Sequence, residues 1–408
     1  MINKQYLQFK VLTKPKKDLF KVVQANAKFK TLNDVLRTKV GINNFYNFSI
    51  AIESTIVMRD IILNSQFVSG WARSSQVLNK TDSKFAGYRF LTRDKEETNK
   101  WIRIMESLEM QGHSMDNMRS LIYLDSITNY AISIDILHLL YITIILDSIY
   151  NNLDETHNDL KDEVGFFLYK FNDLLYHEYD IDYAEYENML GDALCDFPVI
   201  NAERQILVNN ITDEYVYGIS ATYSVIGQIW RHRTLVKQYA ARTYTELVEK
   251  AKVATANYNY DMIGMHKDVA DGIVAFTADA KSIYDLCQGS IVRFVFSGTV
   301  GAIRKALSQR TCYINDSPQF KDAFDAFKKN HPDMHLIPPC KLNTSETNSC
   351  YVGYVNESRR RGEEKTQVPC PIYCKAKGYD DDFAKSAASQ KTKWYVENLE
   401  YWGNVVKC

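Results

Sequence analysis

Residues 214–244 read EYVYGISATYSVIGQIWRHRTLVKQYAARTY, and the choice of fold turns on them. The opening run EYVYGIS (214–220) alternates apolar with small or polar side chains, which predicts a strand. Residues 245–256 leave the block with helical spacing. Between them, Gln228, Ile229 and Trp230 lead into Arg231, His232 and Arg233 at the start of an otherwise apolar element. An unpaired guanidinium costs several kcal/mol to bury, so this is poor core sequence. It suits an anion clamp instead, because planar guanidinium forks grip phosphate oxygens in pairs while the imidazole stacks or donates between them. A bare Arg-His-Arg tripeptide is more often a solvated turn. Here it has company: Gln228 stands three residues before Arg231, with Arg242 eleven and Tyr244 thirteen after it.

A second stretch upstream reads like a copy of the first. FYNFSIAIE (45–53) alternates as a strand and STIVMRDIILN (54–64) has helical spacing, followed by a polar loop, QFVSGWARSSQ (66–76). At one constant offset Tyr46, Phe48, Ile50 and Ile52 fall on Tyr215, Tyr217, Ile219 and Ala221, and Arg73 falls on Arg242. A shift of one residue inside the helix sets Asp60 on Gln228, and Leu63, Asn64 and Ser65 stand where the other copy has its Arg-His-Arg. Two such copies would each bury a face against the other; chance likeness between two strand–helix units is the competing explanation. Downstream pieces also correspond. A charged helical link (94–108) precedes a strand and an apolar helix in 117–146, while SIVRFVFSG (290–298) and TVGAIRKALSQR (299–310) read as strand and helix. An earlier helix is expected over 32–39, capped near Thr31 or Asn33. The acidic, tyrosine-rich run 147–200 reads as helices and a link with a solvated surface, without assigned chemistry.

At 408 residues the chain is long enough for two or three domains. Its 46% apolar and 24% charged residues describe a globular rather than a disordered chain. With 49 basic and 50 acidic side chains, no overall field recruits nucleic acid or an anionic membrane, so any anion site is local. The N-terminus lacks an apolar signal region and the most apolar run, 131–146, contains Asp135 and His138, which predicts a buried helix rather than a membrane span. A cytoplasmic protein is expected, and its eight cysteines suggest thiols or metal ligands before disulfides.

The block 228–244 resembles the signature of the flavin-dependent thymidylate synthases: Arg-His-Arg, seven residues, Ser, one residue, Arg-Tyr, with Gln three residues before the first Arg. Ala241 stands at the Ser, Thr243 at the second-last Arg with Arg242 one residue early, and Tyr244 at the Tyr. The family's Ala-Arg-x-x-Leu-Pro is matched by Met118-Arg119 and Ile122-Tyr123, with Thr128 at a strand Thr. Its helix-terminal Arg falls on Leu146 in the first copy and on Arg310 in the second, where Ile283 takes the position of Arg119 and Gln319 stands near a further family Gln. The resemblance implies an α+β fold in two tandem, divergent copies of the thymidylate synthase unit, strands packed with long helices. The expected division is a degenerate repeat over 1–200, a repeat carrying Arg-His-Arg over 201–330, and a Cys-rich extension over 331–408. It further implies a methyltransferase that moves a one-carbon unit from methylenetetrahydrofolate to carbon 5 of dUMP, with FAD as cofactor and NADPH as reductant. Arg231, His232 and Arg233 would hold the flavin. Gln228, Arg242, Tyr244, Arg119 and Arg310 would hold the nucleotide, Arg310 also polarising the uracil. Family members are homotetramers with shared active sites, so a homodimer of tandem chains is expected. A hydroxymethyl-transferring relative and a non-catalytic nucleotide-binding homologue are the alternatives.

Three features stay outside that reading. Arg293 on the second strand suits a surface or interface position, while Arg304 and Lys305 suit either an anion site or solvent. Cys340, Cys350, Cys370 and Cys374 offer four soft ligands, but at irregular spacing; no metal site is assigned. Arg359, Arg360 and Arg361 read as an exposed charged loop.

Overall fold

The computed structural model describes residues 2–13, 21–22, 41–42, 47–64, 70–73, 85, 87–113, 115–179, 181–184, 215–229, 235–310 and 318–336. Helix and strand are mixed in an α+β arrangement, and the main elements form two units that follow the same order.

The first unit begins with β1 (Gln8–Thr13), followed by the short antiparallel pair β2 (Lys21–Val22) and β3 (Gly41–Ile42). Then come β4 (Asn47–Thr55), α1 (Ile56–Asn64), β5 (Gly70–Arg73), α2 (Lys95–Met110), the single turn α3 (Met115–Met118), β6 (Ile127–Asp135), α4 (Ile136–Asn152) and α5 (Asn158–Tyr179). Its antiparallel sheet has the order β1-β4-β6-β5. Phe48, Ile50 and Ile52 alternate along β4 with Ser49 and Ala51, and all five are buried. The alternation therefore separates a bulky apolar face from a small one, both covered, rather than core from water. Next to β4, α1 is buried on almost every side, as an apolar helix must be. Asp94 caps α2 in a reciprocal capping box with Glu97, and α4 packs on α5 through Leu160, Val164, Phe167, Phe171 and Leu174, spaced three and four apart.

The second unit runs β7 (Tyr215–Thr222), α6 (Tyr223–Ile229), β8 (Val236–Tyr239), α7 (Tyr244–Ala256), α8 (Lys267–Ala278), β9 (Ile291–Gly298), α9 (Val300–Arg310) and α10 (Lys321–Asn330). Its sheet has the order β7-β9-β8, matching β4-β6-β5 strand for strand.

The junction between the units is locally two-fold. Tyr123 and Cys287 form an antiparallel bridge between them. Leu124 N donates to Leu286 O and Gln288 N to Ile122 O, both at 2.9 Å, and each bond is the image of the other when the units are exchanged. The correspondence continues outward: Ser126 N to Tyr123 O matches Ser290 N to Cys287 O, and Ile56 N to Ser126 O matches Tyr223 N to Ser290 O.

Several expectations are corrected. The ladders end with Thr55 opposite Ile127 and Thr222 opposite Ile291, so Thr55 corresponds to Thr222. The constant offset read from the sequence sets Thr55 on Ser224, two residues further along; a slip of two keeps the alternation, so periodicity cannot detect it. The expected loop at 66–76 contains β5, too short for a periodic signal. The apolar run 131–146 is divided, Ala131–Asp135 completing β6 and the remainder starting α4. No helix among the described residues is long and apolar enough to cross a membrane. The expected helix at 32–39, Cys340, Cys350, Cys370, Cys374 and the arginines 359–361 lie outside the described residues.

Candidate functional site

The sequence-predicted site residues are distributed along both units. Arg231, His232 and Arg233 lie outside the described residues. The chain enters that segment from α6, which carries Gln228, and returns at Leu235, which is wholly buried. Thr243, standing where the family pattern has Arg, caps α7 by accepting from Glu246 N at 3.1 Å. Arg242 therefore falls just outside the helix and is exposed, its backbone N donating to Glu246 Oε2 at 2.6 Å. Tyr244 opens α7 and is buried at the seam between the units, its ring 5.8 Å from that of His157. Ala241, at the family's Ser, is buried too. Arg310 ends α9, buried, with its guanidinium 5.7 Å from the centre of the Phe320 ring. Arg119 belongs to the first unit, where its charge lowers the Tyr88 phenol against the burial that raises it to about 12. Gln319 accepts from Thr222 N. Arg293 is exposed on β9, and Arg304 Nε donates to His335 O at 3.0 Å.

The charged centre of the seam was not singled out from the sequence. On α1, Arg59 Nε donates to Asp60 Oδ1 at 2.8 Å and Nη2 lies 2.7 Å from the same oxygen, with both side chains buried. Burial pulls the guanidinium's pKa down, but Asp60's charge and hydrogen bond outweigh it and leave Arg59 above its ordinary value. A Cβ at Gly227 on α6 would lie 3.9 Å from Arg59 Nη2, so the helix leading to Arg231 passes directly over this guanidinium. Burial raises the Tyr223 and Tyr244 phenols well above the ordinary range, and neighbouring Tyr239 and Asp60 raise them further. Both remain protonated donors. The Tyr244 hydroxyl is buried with no hydrogen-bond partner among the described residues, a condition that native interiors avoid unless water or a ligand completes it.

Three more connections among the described residues cross the seam. Glu163 on α5 accepts from Thr55 N at 2.8 Å, Thr55 Oγ1 at 2.6 Å and the Tyr284 hydroxyl of the second unit. Burial raises its carboxyl to about 7, although these hydrogen bonds oppose the shift. This corrects the reading of 147–200 as solvated surface, since Glu163 is fully buried. Nearby, Arg93 Nη1 lies 2.6 Å from Asp125 Oδ1 and Nη2 lies 3.3 Å from Asp285 Oδ1 of the other unit, with the guanidinium 3.6 Å from the Tyr123 ring centre. His157 Nε2 faces the obligate donor Ile283 N at 3.3 Å, so in the neutral ring the proton sits on Nδ1, bonded to Asp154 Oδ1 at 3.0 Å.

One further group spans the units: His113, His266 and Asp268 bring their ligating atoms within 4.8 Å of one another. Sequence spacing had no means of joining residues so far apart in the chain. Searches against known proteins add no identity: no family model, no curated protein and no solved structure matches this chain.

Proposed function

We propose that this chain is a flavin-dependent thymidylate synthase-like enzyme, a two-unit protein that transfers a one-carbon group from methylenetetrahydrofolate to carbon 5 of dUMP with FAD and NADPH. One observation carries the reading: the two units meet at a seam where the buried Tyr244 hydroxyl, without a hydrogen-bond partner among the described residues, feels the charge of Asp60 in the buried Arg59–Asp60 pair. A nucleotide enzyme whose sites are shared between subunits needs such a junction, and here one chain supplies both sides of it.

In this reading Arg231, His232 and Arg233 hold the flavin, because two guanidiniums and an imidazole form a donor set suited to phosphates and an electron-rich ring. The flavin, when bound, supplies the electrons that reduce the transferred carbon. Gln228, Tyr244 and Arg310 hold the pyrimidine nucleotide from the second unit, Arg310 polarising the uracil, while Arg119 contributes from the first and exposed Arg242 reaches the phosphate. The protein's part is positioning and electrostatics rather than nucleophilic attack.

The test is the visible spectrum of the purified protein with and without added FAD, followed by release of the carbon-5 hydrogen from dUMP. Flavin absorbance that is retained by the intact chain and lost in Arg231→Ala, with far-ultraviolet circular dichroism unchanged, is the expected result. Equal flavin occupancy in that variant removes Arg231 from the site. A protein that binds dUMP but takes up no flavin is a nucleotide-binding homologue rather than an enzyme of this class.

A further inference from the structure

We propose that His113, His266 and Asp268 form a binding site for a divalent transition-metal ion, zinc above all, that fastens the two units together. His113 follows α2 in the first unit, whereas His266 and Asp268 begin α8 in the second. The means of delivery is local. Gly112 adopts a φ of +85°, and Gly112 N and His113 N bond back to Glu109 O and Leu108 O. This left-handed helix ending turns the chain sharply and is open to glycine at little cost. It brings the His113 ring under cover, 5% exposed, and against that of His266, the ring centres 4.3 Å apart and nearly perpendicular.

The spacing is that of a coordination sphere. His113 Nε2 and His266 Nδ1 each lie 3.6 Å from Asp268 Oδ2, and all three ligating atoms fall within 4.8 Å of one another. A tetrahedral zinc with bonds near 2.1 Å separates its ligands by about 3.4 Å, so small side-chain rotations complete the geometry. Gln111 Oε1, 3.3 Å from His113 Nε2, offers a weak oxygen donor at similar spacing. Two imidazoles and one carboxylate select zinc or a neighbouring transition ion over calcium or magnesium, which prefer oxygen alone. Lys267, the nearest cation in sequence, is engaged with Asp271. With His266 and Asp268 more than half exposed, the ion has an entry path and room for a water ligand.

The experiment uses the full chain, stripped with a chelator and titrated with zinc and with cobalt(II). One equivalent should bind, the cobalt form should show tetrahedral d–d absorption without a thiolate charge-transfer band, and zinc should raise the thermal midpoint. His266→Ala and Asp268→Asn alter exposed side chains and keep the fold, checked by circular dichroism. Each should weaken binding by more than about a hundredfold, beyond the loss of an outer-shell partner, and abolish the thermal shift. Absence of binding overturns the proposal. So does binding that persists in both variants, which places the ion elsewhere, or binding that carries a thiolate band, which assigns it to the cysteines. The proposal does not depend on the flavin reading.

Discussion

Thr55 and Thr222 end corresponding strands of the two units, and each closes its backbone N–H on a side-chain oxygen from a later element. For Thr222 the acceptor is the Gln319 amide, which is neutral; for Thr55 it is Glu163, a fully buried carboxyl that also receives the Tyr284 hydroxyl. A similar contrast appears at the seam. Asp125 and Gly289 both sit one residue before the matching serines Ser126 and Ser290. The first is a buried acid paired with Arg93, whereas the second has no side chain because Ser120 and Ile273 occupy its space. Duplicated geometry thus survives where charge has been placed in one unit only. At both of these matched positions the acid lies in the first unit, while Tyr244, Arg242, Arg310 and Gln228 belong to the second.

Removing the charged side of this comparison should have the largest effect. Arg93→Ala leaves Asp125 buried without its cation and removes the tie to Asp285, at a cost of about 3–5 kcal/mol. Chemical denaturation of wild type and variant measures this directly. The double variant Arg93→Met with Asp125→Asn should recover much of the loss, because it removes the uncompensated charge while keeping an acceptor for Thr92 N and Oγ1.

Making the strand ends alike tests the pH consequence. Glu163 has a folded pKa near 7 against an ordinary 4.5. Its protonated form therefore stabilises the fold fully below pH 4.5, and that contribution disappears as pH rises through 7, a swing of about 3 kcal/mol. Glu163→Gln should flatten stability between those limits. The converse change, Gln319→Glu, should create a new loss on the alkaline side. A wild-type stability profile with no slope over this range would show that Glu163 is solvated or ionised throughout.

The glycine side of the junction is next. A Cβ at Gly289 would stand 2.4 Å from Ile273 Cδ1 and 2.9 Å from Ser120 Cβ. Ile273 can rotate its tip, but Ser120 belongs to the turn whose O accepts Gly289 N at 2.7 Å. Gly289→Ala should therefore destabilise by roughly 1–3 kcal/mol, and Ile273→Val in the same chain should relieve only part of it.

The comparison also explains what could be read from the sequence. Long elements with a clear period were legible: β4, α1, β9 and α9 fall within two residues of their expected bounds. So was the existence of a second strand–helix unit, since alternation repeats whenever a strand does. Its register was not, because slipping a strand by two residues leaves every side chain on the same face. β5 and β8, four residues each, carry too few side chains for a period and are defined by pairing with a central strand. The seam was hidden for a different reason. Arg59 and Asp60 look like ordinary charges on a helix until packing closes over them, and Glu163 lies in a run whose acidity suggests water. His113 and His266 become neighbours only through the pairing of the units. Composition reports how many charges a segment carries, whereas burial decides which of them matter.

The smallest expected effect concerns Thr243, where the sequence differs from the pattern it resembles. Thr243 caps α7 through the bond from Glu246 N, while Glu246 reaches back to Arg242 N. This exchange is displaced by one residue from an ideal capping box, but it satisfies one free N–H inside the helix and one before it. Thr243→Ala should cost about 1 kcal/mol, and Thr243→Ser or Thr243→Asp much less, because only the accepting oxygen is required. Thr243→Arg, which inserts the residue of the resembled pattern, should also lose the cap. If that variant nevertheless tightens dUMP binding, the proposed nucleotide site gains from an arginine at 243, and Arg242 does not supply the same contact. If binding is unchanged while stability falls, an arginine at 243 adds nothing to the proposed nucleotide site.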